Sequence, residues 1–377
     1  MKSIFIYSDE FWRYDYGNEH PMKPVRLKIT YELIREYGLF DAPAAEIAEG
    51  RKASFHELLL VHTNDYINAL QDANDGFIEP SSGLPFSLGA GDNPVFPGVY
   101  DWSLASVGAS IQAAELILAK KTDTAFNICG GLHHAMGSKA SGFCYLNDGA
   151  VAIQHLVDAG KRVAYIDIDA HHGDGVQSAF YDSDRVLTIS LHESGRSLFP
   201  GTGFPDEIGT GKGRGFSINL PVPPGADDTI FTTGFDLLLP PLIECFKPDV
   251  VVTQLGVDTF RSDPLTHLNL TTEGFEKMVR AIGAFNLPWV ALGGGGYNMS
   301  NVARAWTLAW AIMCNTEVEN EIPRSFSTTA AEFGIAERSL RDQPFSLPPH
   351  EQAGILAEQE RTAAHILETV LPLIKHT

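Results

Sequence analysis

Short apolar runs alternate with longer segments of helical periodicity along most of the chain. Near-continuous apolar runs predict buried strands, because parallel strands are covered on both faces. The predicted strands are residues 3–7, 125–128, 163–168, 186–191, 249–255 and 288–292. The predicted helices between them are residues 103–120, 147–159, 228–245, 272–285 and 300–313. This alternation predicts an α/β fold with a single doubly wound, mainly parallel sheet flanked by helices.

Three segments depart from this alternation. Residues 76–98 and 193–216 are rich in Gly and Pro and predict long loops, which are usually functional in a compact domain. After residue 315 the chain predicts a helical extension, 315–377, with an amphipathic helix at 350–371 that Pro372 should end or kink. No linker separates two cores, so the sequence predicts one domain over residues 1–377.

The charge and the cysteines limit the expected binding partners and cellular compartment. The chain has 27 basic and 47 acidic residues and a net charge of -20, which disfavours nucleic acid and suits cationic partners rich in lysine. The four cysteines form no CxxC pair, which fits a reducing compartment. The N-terminus does not read as a signal peptide, and no uncharged apolar run predicts a membrane span. We expect a cytoplasmic protein with no nucleic-acid or membrane partner.

Polar side chains follow two of the predicted strands. Asp169 and His171 come directly after the strand 163–168, and Asp258 follows the strand 249–255. Residues two apart in an extended segment point to the same side, and ligands bind beyond the carboxyl ends of parallel strands. An Asp-x-His pair alone is more typical of a strand-end cap or a surface charge. Together with Asp258, the adjacent histidines 133–134 and the glycine run 293–296, it predicts a three-ligand metal site with an open position. The ligand types suit zinc, although iron(II), manganese or cobalt could also bind.

Groups suited to proton transfer occur in neighbouring segments. His133 and His134 are adjacent in a Gly-rich loop, and imidazole is the commonest proton shuttle. Asp167 and Asp174 flank the predicted metal ligands and could fix the tautomers of these histidines. Tyr297 follows four glycines, which let the backbone approach a ligand closely, so its hydroxyl could donate to a developing oxyanion.

Seven segments resemble the histone deacetylase superfamily in their order along the chain. They are CGGLHHA, SGFCYLNDGAVA, YIDIDAHHGDGVQ, SLHE, FPGTG, QLGVDT and LGGGGYN. The similarity is greatest to the class I-like members and to their bacterial relatives, the histone deacetylase-like and acetoin-utilisation amidohydrolases, and the motifs lie within residues 5–310. The resemblance implies an arginase/deacetylase-like fold and a metal-dependent deacetylase, which is a hydrolase acting on linear amide C–N bonds.

The resemblance also implies metal ions. The implied zinc ligands, where Fe²⁺ is also possible, are Asp169, His171 and Asp258. An inner site for structural potassium would use Asp167, Asp169, His171, Ser190 and Leu191. An outer potassium site would use Phe180, Ser183, Val186 and Phe216, mostly through backbone carbonyls.

Acid–base roles are implied in the same way. His133 and His134 would be hydrogen-bonded to Asp167 and Asp174 respectively. His134 would be the main general base and general acid, and His133 its electrostatic partner. Tyr297 would hydrogen-bond the substrate carbonyl and then the tetrahedral oxyanion.

The implied substrate-binding residues form a narrow tunnel and its rim. Gly142, Phe143 and Phe199 would line the tunnel around the aliphatic stem of an acyl-lysine. Asp92 would hold the substrate backbone at the rim, and Arg26 would lie at the inner end of the pocket, near an exit for acetate.

The substrate class stays open between two kinds of acylated amine. An acyl-lysine protein or peptide is the leading prediction, and a small acetylated amine such as an acetylpolyamine is the alternative. Leu265 occupies the position where polyamine-specialised relatives carry a glutamate, which counts against polyamines. A non-catalytic binding module would require a broken metal or tyrosine position, and none is broken. The sequence makes no prediction of acyl-chain selectivity or oligomeric state.

Overall fold

A central sheet of eight strands organises the protein. The computed structural model describes residues 2–77, 83–89 and 91–375 of the chain. The strands are β1 Ser3–Tyr7, β2 Ala45–Glu49, β3 Thr124–Asn127, β4 Val163–Asp167, β5 Val186–Glu193, β6 Ser217–Val222, β7 Val250–Gln254 and β8 Trp289–Leu292. Their order is β2-β1-β3-β8-β7-β4-β5-β6, and each pairing in the sheet is parallel.

Helices cover both faces of the sheet. In the described part of the chain they are α1 Val25–Glu36, α2 Phe55–Leu58, α3 Asn64–Asn74, α4 Val99–Leu118, α5 Asp148–Asp158, α6 Asp174–Phe180, α7 Asp228–Phe246, α8 Thr272–Ala284, α9 Met299–Met313, α10 Ser327–Glu332 and α11 Pro349–Lys375. The predicted fold class, a doubly wound and mainly parallel sheet flanked by helices, is confirmed. β4, β7 and β8 are buried along their whole lengths, as expected for strands covered on both faces.

The two sheet edges were not predicted. β2 reads AEIAE and is partly exposed, and β6 reads SINLPV, so neither strand has the continuous apolar run of the interior strands. The loop predicted at 193–216 begins one residue later in the structure, because β5 extends to Glu193. In the other predicted loop, 76–98, residues 78–82 and 90 lie outside the described residues.

The C-terminal helix differs from its prediction at Pro372. α11 continues through this proline to Lys375. Ala363, Ile366, Val370 and Ile374 are buried, and the helix packs mainly on α7, with further contact to β6. Burial of Val370 and Ile374 on either side of Pro372 holds the last turn in place, so the proline does not end the helix. Within residues 315–375, the extension is helical over α10 and α11 and in one short turn at Arg324–Phe326.

α7 is long and apolar enough to cross a membrane by length and composition alone. More than half of this helix, 56% of its most apolar stretch, is buried inside the protein. α7 packs between α11 and α8. A buried core helix passes the same test, and the contacts of α7 are typical of one.

Candidate metal centre and active site

Three side chains meet beyond the carboxyl ends of β4 and β7. One ligand atom each from Asp169, His171 and Asp258 lies within 4.8 Å of the others, and all three residues are buried. The Nδ1 atom of His171 lies 3.1 Å from Oδ1 of Asp169 and 3.0 Å from Oδ2 of Asp258. Sequence reasoning predicted this grouping from strand ends that are far apart in the chain, and the structure brings the residues together.

Neighbouring donors fix the two carboxylates. The Oδ2 atom of Asp169 accepts hydrogen bonds from the side-chain amide of Gln254 at 2.6 Å and from the backbone N–H of Gly295 at 2.8 Å. The Oδ1 atom of Asp258 accepts from the backbone N–H of Ala170 at 2.8 Å. Each carboxylate therefore has a set orientation, which is a requirement of a preorganised ligand site.

Glycines leave room for these carboxylates. A Cβ atom on Gly256 would overlap Oδ2 of Asp169, and one on Gly295 would overlap Oδ2 of Asp258. The backbone thus passes against the acidic oxygens at both positions. Any larger residue would displace a candidate ligand.

The charge balance of this centre favours a cation. Burial and the neighbouring charge of Asp169 raise the pKa of Asp258 to about 7. Two buried carboxylates so close together are costly as anions unless a positive charge lies between them. One nitrogen and several oxygens form a donor set suited to a divalent transition metal. Asp169, His171 and Asp258 could therefore hold such an ion.

The two adjacent histidines lie beside the candidate metal centre, and each is hydrogen-bonded to a different carboxylate. The Nδ1 atom of His133 lies 2.7 Å from Oδ2 of Asp167, and Nδ1 of His134 lies 2.7 Å from Oδ1 of Asp174. Their Nε2 atoms are 3.1 Å apart. These are the pairings that the family resemblance implies.

The two imidazoles have opposite protonation tendencies. Burial lowers the pKa of His133, but the charges of Asp167 and Asp169 outweigh it and raise this pKa to about 9. Burial and the charge of His133 lower the pKa of His134 to about 4. Near neutral pH the pair therefore contains one cationic and one neutral ring, and the neutral ring can accept a proton.

Sequence reasoning missed the residues that hold the histidine loop. The side chain of Asn147 caps α5 and donates to the backbone oxygens of His133 and Ala135 at 3.2 and 3.0 Å. The ring of His62 accepts from the backbone N–H of Asn147 at 3.0 Å through Nε2, so Nδ1 carries the proton and donates to the Met136 carbonyl at 3.1 Å. An Asn before an apolar helix is an N-cap signal and could have identified Asn147. No local signal marks His62.

Asp148 anchors the start of the same loop. Its buried carboxylate accepts hydrogen bonds from the backbone N–H groups of Gly131 and Leu132 and from the Ser110 hydroxyl, at 3.0, 2.8 and 2.6 Å. Burial raises the pKa of Asp148. Asp148 is thus a structural anchor, although its position beside Asn147 in the sequence gave no indication of that role.

Aromatic rings enclose the approach to the centre. The ring of Phe143 lies 5.6 Å from that of Tyr297, and the ring of Phe199 lies 5.0 Å from that of His134. Gly142 adopts a φ of 49°, and a Cβ atom there would collide with His134 and press on Phe199. The predicted tunnel residues therefore surround the histidines and Tyr297, and Gly142 is the position that permits their close packing.

Arg26 is buried behind the glycine run. Its guanidinium donates to the carbonyls of Gly296 and Gly294 at 2.6 and 2.7 Å and lies 5.3 Å from the centroid of the Trp306 ring. Its Nε atom has no hydrogen-bond partner among the described residues. Arg26 thus fixes the backbone that leads to Tyr297.

Two predicted substrate-binding residues lie further out. Asp92 is exposed, and its backbone carbonyl accepts from Nε2 of His20 at 3.2 Å. The His20 ring in turn lies 4.6 Å from the ring of Phe143. Leu265 is half-buried, and its backbone N–H donates to Asp263 at 3.0 Å. Sequence reasoning named neither His20 nor Asp263.

The predicted potassium ligands separate into two groups. Ser190 pairs in register with Asp167 across β4 and β5, so Ser190 and Leu191 lie near the metal centre. Val186 is the first residue of β5, and the Phe216 carbonyl accepts from Thr188 of the same strand at 2.9 Å. The Phe180 carbonyl accepts from the N–H of Ser183 at 3.0 Å. The inner group therefore adjoins the metal ligands, and the outer group surrounds the beginning of β5.

Comparison with known proteins places this arrangement in a family. The model of the histone deacetylase domain matches residues 20–313. Histone deacetylase 1 from Homo sapiens is 43% identical over 324 residues, which are 85% of this chain and 66% of the human protein. Histone deacetylase B from Dictyostelium discoideum is 42% identical over 320 residues, which are 85% of this chain and 75% of that protein.

A solved structure of a histone deacetylase homolog has a similar fold. The crystal structure of an HDAC homolog from Aquifex aeolicus superposes with a TM-score of 0.86 at 35% sequence identity, covering 96% of this chain and 100% of that one. The domain match covers most of the chain, including the metal centre, the paired histidines and Tyr297. This chain belongs to the histone deacetylase family.

Proposed function

We propose that this protein is a metal-dependent deacetylase that removes acetyl or other short acyl groups from lysine side chains of proteins or peptides. The observation that carries this proposal is the buried Asp169–His171–Asp258 cluster with a neutral imidazole and a tyrosine beside it. Amide hydrolysis needs polarisation of a carbonyl, a base for water and a donor for the oxyanion. The site contains a candidate for each.

The proposed metal is zinc, with Fe²⁺ as the alternative, held by Asp169, His171 and Asp258. Bound there, the ion would act as a Lewis acid on the amide carbonyl and lower the pKa of water. We further propose structural potassium at the inner and outer groups described above. Asp167 and Ser190, next to each other in the sheet, support the inner one.

His134 is the proposed general base. Asp174 accepts the Nδ1 proton of His134 at 2.7 Å, so Nε2 carries no proton. This Nε2 lies 3.1 Å from Nε2 of His133 and can take a proton from the attacking water. The water oxygen bonds to the carbonyl carbon, and the resulting tetrahedral oxyanion collapses with cleavage of the amide C–N bond. The protonated imidazole returns its proton to the departing amine. His133, held by Asp167, provides the neighbouring positive charge. The products are the free lysine amine and acetate.

Tyr297 is the proposed oxyanion donor, and the aromatic rings provide the substrate tunnel. Phe143 stands edge-on to Tyr297, so a carbonyl reaching the phenol would pass along an apolar wall. A neutral acyl-lysine stem suits this wall, whereas a charged ammonium would be costly to desolvate. Asp92 would hold the substrate backbone at the rim, and Arg26 would lie at the inner end.

The alternative substrate is a small acetylated amine such as an acetylpolyamine. The net charge of -20 would attract any cationic substrate and does not separate the two classes. Leu265 favours the peptide, because an aliphatic side chain offers no charge to a distant ammonium.

The deciding experiment measures acetate release by the purified protein. An acetyl-lysine peptide and acetylspermidine are compared at equal concentration, before and after removal of metal with a chelator. We expect turnover of the peptide that is lost on chelation and regained with Zn²⁺ or Fe²⁺. Faster turnover of acetylspermidine would favour the alternative, and no turnover of either substrate by metal-loaded protein would contradict the proposal.

We also propose that residues 1–377 form one deacetylase domain in the cytoplasm. The packing of α11 on α7 and β6 supports one unit. The four cysteines are free, which supports a reducing compartment.

A further inference from the structure

We infer that Asp263 is a positioning residue that holds the backbone of Tyr297 in place for the deacetylation proposed above. The inference rests on that proposed function. The Asp263 side chain makes no hydrogen bond to the candidate metal ligands or to the side chains of the tunnel residues. It would therefore act through Tyr297.

The carboxylate of Asp263 binds two backbone groups at once. Its Oδ2 atom accepts from the N–H of Tyr297 at 2.7 Å, and its Oδ1 atom accepts from the N–H of Leu265 at 3.0 Å. Asp263 is only 7% exposed. The bond to Leu265, two residues further along, fixes the Asp263 side chain within its own turn. The bond to Tyr297 ties this turn to the segment that carries the tyrosine, and charge-assisted hydrogen bonds of this kind are short and strong.

The backbone before Tyr297 needs such a restraint. Gly294 and Gly296 adopt φ values of 141° and 134°, which other residues rarely adopt. Glycine runs of this kind are conformationally permissive. Arg26 binds the carbonyls of both glycines, and Asp263 binds the next N–H along the chain. The cationic Arg26 therefore holds the run by donating to two carbonyls, and the anionic Asp263 holds it by accepting from one N–H.

The loop that carries Asp263 is itself tied to the metal centre. The Thr266 hydroxyl donates to the backbone carbonyl of Asp258. The backbone N–H of His267 and its ring Nδ1 both lie 2.9 Å from the carboxylate of Glu193, which is fully buried at the end of β5. Asp263 thus sets the position of Tyr297 relative to Asp258, so the phenol hydroxyl and the metal centre keep a constant separation.

The substitution Asp263→Asn isolates this role with little change in shape. An asparagine has one acceptor oxygen, so only one of the two N–H groups keeps its acceptor, and the amide nitrogen faces the other. Tyr297 would shift or become mobile. Misplacing a catalytic group by about 1 Å can cost ~10²-fold in rate. We expect kcat to fall by roughly 10- to 100-fold and KM to change by less than about 3-fold.

A double-mutant cycle tests whether Asp263 acts through Tyr297. Turnover of an acetyl-lysine peptide is measured for wild type, D263N, Y297F and the double variant, all checked for metal content. If Asp263 positions the phenol, D263N costs little once the hydroxyl is gone, and the two losses are strongly non-additive. The control is Asp236→Asn, at a carboxylate that is about half exposed and pairs with Lys277; it should leave kcat unchanged.

Each outcome bears on the inference. An equal loss in the wild-type and Y297F backgrounds, or a wild-type kcat for D263N, would overturn it. Should D263N fail to fold, Asp263→Ser provides a single smaller acceptor and enters the same cycle. A crystal structure of the variant gives a second readout, in which the Tyr297 ring is displaced while Asp169, His171 and Asp258 stay in place. A wild-type protein without deacetylase activity would instead contradict the proposed function, and the inference would fall with it.

Discussion

The phenol of Tyr297 is the simplest single group to test. Burial raises the pKa of Tyr297 well above its ordinary value, so the hydroxyl keeps its proton and can donate. Tyr297→Phe removes only that hydroxyl. We expect turnover to fall by ~10²–10³-fold, the usual cost of losing one oxyanion donor, with metal content unchanged. Steady-state kinetics with an acetyl-lysine peptide measure the loss, and unchanged turnover would reject the role.

Gly256 is important because it has no side chain. The Cβ atom of Gly256→Ala would overlap the Asp169 carboxylate and push it away from His171 and Asp258. We therefore expect less than one equivalent of metal per protein, measured by elemental analysis after dialysis. The matched control is Gly354→Ala, because a Cβ atom there meets nothing within 4 Å. Full metal content in the Gly256 variant would show that the cluster does not depend on this close approach.

Residues that supply a side chain to the site could be predicted, as could the carboxylates Asp167 and Asp174 beside the histidines, whereas supports that bind distant backbone groups could not. Asp169, His171 and Asp258 are polar residues directly after apolar strands, and that position places them at one edge of a parallel sheet. His62 and Asp263 act by binding backbone groups far away in the chain. Nothing in their local sequence marks such a contact, so the three-dimensional structure was needed to find them.

The ring of His62 connects two elements, the segment before α3 and the start of α5. Burial lowers its pKa from 6.5 to about 4. The neutral ring keeps Nε2 unprotonated, and this atom accepts from the backbone N–H of Asn147. Between those two pH values the unfolded chain binds a proton that the folded protein does not. The free energy of unfolding should therefore fall as the pH decreases from 6.5 toward 4, by about 3 kcal/mol in total for this group.

Urea unfolding at several pH values measures this effect. His62→Gln removes the titrating ring, so the stability of the variant should fall less than that of the wild type over the same pH range. Gln71→Ala, on the exposed face of α3, removes no titratable group; it is the control and should keep the wild-type slope. Equal slopes for wild type and His62→Gln would show that His62 does not titrate in this way.

Interior and edge elements differed in how well their sequences predicted them. β4 and β7 are apolar throughout because each is covered on both faces, and that run was visible in the sequence. β2 contains two glutamates among its five residues and lies at an exposed edge, where burial imposes no apolar run. The short helix α6 begins at Asp174 within the motif that provides site residues, and seven residues are too few to show a clear periodicity.

At the scale of the whole molecule, the C-terminal helix completes the core. Ile366 is 2% exposed on the buried face of α11. Ile366→Ala should destabilise the protein by about 2–5 kcal/mol, the usual cost of truncating a buried aliphatic side chain, and lower Tm in a thermal melt. Glu368→Ala, two residues away on the exposed face, should change stability by less than about 0.5 kcal/mol. A similar small effect of both changes would mean that α11 packs loosely.

The sheet order has a consequence for the nascent chain on the ribosome. β8 lies between β3 and β7, although it is the last strand to be synthesised. Until Trp289–Leu292 emerges, the strands β2-β1-β3 and the strands β7-β4-β5-β6 share no backbone pairing. A ribosome-bound intermediate therefore exposes two open strand edges, where association with other chains is a hazard. Translation must pass residue 292 before the histidines after β3 and the carboxylates after β4 and β7 can be held together in one site.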